Sequence, residues 1–234
     1  MKERLDRLVG SQTPLSRKEA AKAIRDKRVA VNGEIIRIPD AKVDPAADTV
    51  TLDGARIRYR RNVYYMMNKP AGVVSATEDQ AERTVIDLLP GGLRREGVFP
   101  AGRLDKDTTG LMILTDDGDY AHRMLSPKKH VDKTYLAVLD RVPGDEIAGR
   151  FAEGITLADG TACQPAEAGI TDDGRVRVTI REGKYHQVKR MFAALGYRVT
   201  ALERVRIGAL TLDKALAPGD VRELSEREAA KVFE

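Results

Sequence analysis

The segment AGRLDKDTTGLMILTDDG, Ala101 to Gly118, holds the densest set of chemically capable side chains in the chain. Arg103, Asp105, Asp107, Thr108, Thr109 and Gly110 form a polar stretch that leads straight into the apolar run Leu111–Leu114. A loop anchored on a core strand fixes its side chains, as a carboxylate acting as nucleophile or base requires. The same residues also suit a plain turn in which Asp and Thr side chains bond their own backbone. Taken alone, the stretch leaves both readings open. Two further polar runs stand out: SPKKHVDKTY (Ser126–Tyr135), and EGKYHQVKRM (Glu182–Met191) with Lys184, His186, Lys189 and Arg190.

Other chemistries find less support. The three histidines, His122, His130 and His186, are not paired at a metal-ligand spacing. Asp107 and the pair Asp116-Asp117 lack clustered His, Asp or Glu partners, so no metal site is expected. Asp117-Gly118 reads as a turn, with Asp116 or Asp117 capping the next helix. One cysteine, Cys163, excludes an intramolecular disulfide and a cysteine-cluster zinc site.

Several elements must position these groups. Ser16-Arg17-Lys18-Glu19 fits a capping box and opens a helix expected to run to about Lys27. Arg17, Arg25 and Arg28 fall along one stripe of it, suited to meeting phosphates together. Val29-Ala30-Val31, Asn32-Gly33 and Ile35-Ile36 spell a hairpin with a type I′ turn. A strand at Thr49–Leu52 is ended by Asp53-Gly54, and residues 55–63 read as a basic tether. Beyond it, strands are expected at Val63–Met67, Leu111–Thr115, Thr134–Leu139 and Arg175–Ile180. Helices are expected at Thr84–Leu89, Asp119–Leu125, Gly144–Phe151, His186–Leu195 and Ser225–Phe233. The strands are not regularly separated by crossover helices, so the fold class is α+β with a mixed, mainly antiparallel sheet flanked by helices.

The 234 residues suffice for a small module plus a larger one, and 42% hydrophobic with 32% charged residues describes a globular chain. No apolar run approaches the roughly 18–20 residues of a membrane span. The N-terminus has no apolar signal core, so a cytoplasmic protein without a membrane partner is expected. Residues 1–60 hold 14 Lys and Arg against 9 Asp and Glu, leaving 26 against 27 for the remainder. The surplus of positive charge therefore sits in the N-terminal quarter. A polyanion partner, nucleic acid above all, suits such a module, and so does a basic surface that is merely solvated.

Residues 3–55 resemble an S4 RNA-binding domain, in Arg4-Leu5-Asp6, Ser16-Arg17 and the hairpin RVAVNGEII (Arg28–Ile36). The rest resembles the RsuA/RluA-type pseudouridine synthases, whose motif R-L-D-x-x-[ST]-[ST]-G is met by Arg103-Leu104-Asp105 and Thr108-Thr109-Gly110. Met67-Asn68-Lys69-Pro70 with Gly72, Ser126–Tyr135, Glu182–Met191 and Arg206-Ile207-Gly208 agree with further blocks in the order of the RsuA-like branch. The resemblance implies an S4 module over residues 1–58 and a catalytic domain over 59–234.

It also implies the chemistry: uracil leaves C1′ of the ribose, turns, and rejoins through C5. Asp105 corresponds to the carboxylate that attacks the flipped-out nucleotide. Lys189 matches the cation that keeps such a carboxylate ionised. Tyr135 matches the tyrosine that stacks on the base and assists removal of the C5 proton. Arg103 matches the arginine that fills the gap left by the flipped base. Arg17, Arg25, Arg28, Lys69 and Arg190 complete the expected RNA contacts. His186, beside Lys189, suits either a positioning role or a hydrogen bond at a helix start. No cofactor is implied. The expected partner of this monomer is ribosomal RNA, small-subunit RNA by the form of SPKKHVDKTY, with large-subunit RNA as the alternative. A non-catalytic rRNA-binding or assembly factor is the competing class.

Overall fold

The computed structural model describes residues 2–126 and 131–234. Pro127–His130, within the expected tyrosine block, lie outside the described residues. The chain forms two compact units, Met1–Val63 with Leu89–Val98, and Tyr64–Leu88 with Phe99–Glu234.

In the first unit the elements run β1 (Glu3–Arg4), α1 (Leu5–Gln12), α2 (Arg17–Arg25), β2 (Val29–Val31), β3 (Glu34–Ile35), β4 (Lys42–Val43), β5 (Val50–Leu52) and β6 (Ala55–Arg56). Ser16 caps α2 with the reciprocal Glu19 bonds of a capping box. The apolar faces of α1 and α2 close on Leu5, Leu8, Val9, Ala20, Ala23, Ile24, Val29 and Val50. Asn32-Gly33 and Asp53-Gly54 both take positive φ, 53° and 86°, then 50° and 80°, and turn β2 into β3 and β5 into β6. Two expectations change here. Lys27 enters the left-handed region at φ 64°, so α2 stops at Arg25 and Arg28 leaves the arginine stripe. The tether begins inside the sheet, because Ala55–Arg56 pairs with β5. Its later backbone is held too: the Arg60 amide and carbonyl bond the Gln12 side chain at 2.8 and 3.0 Å.

The second unit contains β7 (Tyr64–Lys69), β8 (Phe99–Pro100), β9 (Thr109–Thr115), α3 (Gly118–Leu125), β10 (Lys133–Leu139), α4 (Glu146–Ala152), β11 (Glu167–Ile170), β12 (Val176–Ile180), α5 (Gln187–Ala194), β13 (Val199–Ile207), β14 (Leu210–Thr211), β15 (Val221–Glu223) and α6 (Glu226–Ala230). Its main sheet runs β11-β12-β10-β13-β9-β7-β15, with β8 and β14 paired at the side. Among the pairs of named strands described, β13–β9 alone is parallel, so the α+β, mainly antiparallel architecture holds. Alternate residues Leu111 and Ile113 of β9 join Met66, Tyr120, Met124, Ile207 and Val232 in one core cluster. Phe151 of α4 and Phe192 of α5 meet at 5.1 Å between ring centres.

Thr84–Leu89 is not a helix. Asp87 accepts the Thr84 amide at 2.8 Å and returns its own to the Thr84 hydroxyl at 3.3 Å. This is a helix-start geometry, but Pro90 follows within one turn and biases the residue before it away from the helical region.

Candidate active site

Asp105 lies in the loop between β8 and β9, and buried polar groups fix that loop from beneath. Lys69, at the end of β7, is fully buried. Its ammonium donates to the carbonyls of Pro70 (3.0 Å), Asp105 (3.1 Å), Lys106 (3.3 Å) and Thr108 (2.9 Å). Ser75 donates to the Leu104 carbonyl at 2.7 Å and accepts its amide at 3.0 Å. The Gly72 amide donates to Lys106 O at 2.8 Å. The second residue of β9 is Gly110, whose φ is 98° and where a β-carbon would stand 2.3 Å from the Arg204 carbonyl. Glycine alone permits β13 to approach this closely.

The Asp105 side chain faces α5. Lys189 Nζ is 3.0 Å from Asp105 Oδ2 and 2.6 Å from Asp107 Oδ1. His186, the N-cap of α5, sits at φ 48° with Nε2 3.4 Å from Asp105 Oδ1. Burial pulls the Lys189 ammonium downward, but its bonds to Asp107 and then Asp105 outweigh that and leave its pKa raised. The same contact holds the Asp107 carboxyl below its usual range, with Lys189 as the largest cause. Burial drives Lys69 the other way, to about 8. Lys133 is likewise lowered, by burial first and then by the charge of Arg204.

Arg103, Asp105, Tyr135, Lys184, His186 and Leu202 line one pocket. Tyr135, on β10 between β12 and β13, is nearly buried. The pocket therefore offers an oriented carboxylate beside a cation, an aromatic ring with a hydroxyl, and an exposed arginine at its edge. These suffice to attack an electron-poor carbon, stack a planar base and exchange a proton.

Of the expected RNA contacts, one is buried and two others carry ion pairs within the chain. Lys69 has no exposed surface and supports the Asp105 loop, so it is not a phosphate contact. Arg28 makes a two-pronged bond to Asp53, at 2.9 and 2.6 Å, and stays exposed. Arg190 is paired with Asp159 and donates to the Tyr185 carbonyl at 3.3 Å. Arg17 and Arg25 remain exposed on α2, Arg17 with Asp6 at 3.6 Å. Sequence reasoning also missed Asp107 as second partner of Lys189. Its signal for Lys69 was available: the residue falls two places after Met67 on an apolar strand and directly before Pro70.

The sequence profile described as RNA pseudouridylate synthase matches residues 63–194, and that of the S4 domain matches residues 3–57. The chain belongs to the RNA pseudouridine synthase family. It is similar to the Ribosomal small subunit pseudouridine synthase A of Escherichia coli strain K12, 44% identical over 231 residues, covering 98% of this chain and 99% of that one. It is likewise similar to the Uncharacterized RNA pseudouridine synthase YtzG of Bacillus subtilis, 45% identical over 229 residues and 96% of each. A solved structure described as a pseudouridylate synthase superposes with TM-score 0.69 at 40% identity, covering 98% of this chain and 99% of the other. Among the described residues no helix is long and apolar enough to cross a membrane.

Proposed function

We propose that this chain converts one uridine of small-subunit ribosomal RNA to pseudouridine, with residues 59–234 catalysing and residues 1–58 supplying affinity. The observation that carries this is the Asp105 carboxylate held 3.0 Å from Lys189 in the pocket that Tyr135 lines. Asp105 attacks the flipped-out nucleotide as the N1–C1′ bond breaks, and Lys189 keeps the carboxylate charged for that step. The freed uracil turns against the Tyr135 ring, C5 bonds to C1′ as the bond from C1′ to the Asp105 carboxylate breaks and releases that carboxylate, and the C5 proton leaves with help from the hydroxyl while N1 regains one. Arg103, at the pocket edge, fills the space vacated in the RNA stack. Exposed Arg17 and Arg25 contact phosphates without reading sequence. The small-subunit target is supported by the names of relatives that match over nearly their whole length, and the place of work is the cytoplasm.

The test is pseudouridine mapping on unmodified small- and large-subunit RNA and on partly assembled particles, with the wild-type chain and Asp105→Asn. One new pseudouridine in the small-subunit RNA, absent with the variant, is expected. A product only in large-subunit RNA would move the substrate and keep the chemistry. No product on any substrate would leave an RNA-binding factor.

A further inference from the structure

The loop before α5 is rigidly built. Gln187, nearly buried, accepts the Lys184 amide at 2.9 Å and donates to Glu182 Oε1 at 2.6 Å. Lys184 pairs with Glu182, and Arg190, itself held by Asp159, bonds the Tyr185 carbonyl. These contacts hold His186 in the left-handed region, which a residue with a β-carbon adopts only when its surroundings impose it. Two consequences follow. His186 reaches Asp105, and its other face supports Tyr185, with ring centres 3.8 Å apart and planes 18° from parallel.

Tyr185 is 76% exposed, the most exposed large apolar side chain among the described residues. A large aromatic left in water does nothing for the core, yet here its ring is prepositioned, stacked on a neighbour and one ring outward from Asp105. A base stacking on it would lose little freedom of the protein. Flipping the target uridine exposes a face of the base beside it, and single-stranded RNA is commonly gripped by stacking such faces on aromatic rings.

We propose that Tyr185, backed by His186, is the stacking surface for the nucleobase adjacent to the target uridine, and thereby helps determine which RNA strand is accepted. The proposal rests on the synthase reading of the pocket. Ring area carries the interaction, so phenylalanine should replace tyrosine and alanine should not.

The experiment uses the full chain, Tyr185→Ala and Tyr185→Phe, with a short RNA spanning the mapped uridine. Each neighbour of that uridine is replaced in turn by fluorescent 2-aminopurine or by an abasic site. Wild type and Tyr185→Phe should quench the probe at one neighbour, and Tyr185→Ala should not. Tyr185→Ala should raise KM about 5- to 150-fold with kcat little changed, the range expected for one stacked base. The abasic site at that neighbour should weaken the wild type by a similar factor and add nothing to the alanine variant. Equal quenching by Tyr185→Ala, or abasic and alanine penalties that multiply independently, would overturn the proposal. A wild-type chain that forms no pseudouridine would refute the underlying synthase reading, which shows in the control before any variant is compared.

Discussion

Replacing Lys69 by Met removes the cation beneath the Asp105 loop while keeping a side chain of similar length. Four carbonyls share its three protons, at 2.9 to 3.3 Å. Carbonyls left without a donor cost about 1–3 kcal/mol each, roughly 4–12 for the set of four. Against that, the pKa of Lys69 stands at about 8 instead of the usual 10.5, chiefly through burial. That difference corresponds to about 3 kcal/mol spent on keeping a charge there, which methionine avoids. The net expectation is a loss of roughly 1–9 kcal/mol in urea unfolding at pH 7. Turnover should fall about 100-fold, because a displacement of about 1 Å at a reacting group has that effect.

The pH dependence has a definite sign. The folded pKa lies below the unfolded one, so between about pH 8 and 10.5 the unfolded chain binds more protons at this site. The stability advantage of wild type over Lys69→Met should therefore be smallest below pH 8 and grow as pH rises through that window. Unfolding of both proteins at pH 7 and pH 10 reads the difference and cancels the other titrations. A variant as stable and active as wild type at pH 7 would refute the claim that Lys69 holds the loop. An advantage that shrinks toward pH 10 would refute burial as the cause of the lowered pKa.

Other substitutions probe separate parts of the site. Asp105→Asn should abolish turnover and leave unfolding nearly unchanged, since the backbone carbonyl of Asp105, and not its side chain, meets Lys69. Tyr135→Phe should retain RNA binding and lower kcat by about 100- to 10,000-fold, the usual range for losing a positioned proton-transfer group. Gly110→Ala should destabilise by at least about 2 kcal/mol in thermal or urea unfolding, because its β-carbon meets the Arg204 carbonyl at a positive φ. Arg17→Ala combined with Arg25→Ala should weaken rRNA binding and flatten its log–log salt dependence by about 1.4 to 1.8, whereas an unchanged slope would remove α2 from the RNA interface.

Local chemistry made much of this protein legible in its sequence. The Ser16–Glu19 capping box, the Asn32-Gly33 and Asp53-Gly54 turns and the cores of β7, β9, β10 and β12 depend on neighbouring residues, so short-range patterns reveal them. The same holds for the Asp105 segment, whose polar-to-apolar step marks a loop on a core strand. Long-range events were not legible. The nine-residue strand β13 is rich in charge, and only its pairing with β10 and β9 makes it central. Thr84–Leu89 has a helix's opening bonds yet lacks the length to continue before Pro90. Lys69, Arg28 and Arg190 are cations by composition, but partners distant in sequence decide their surroundings: Lys69 is buried against four carbonyls, Arg28 pairs with Asp53, and Arg190 pairs with Asp159. Sequence alone determined which chemical groups the chain carries and the local geometry around them. Tertiary structure decided which of those charges are buried, paired or open, because desolvation and partner distance are properties of the packed chain.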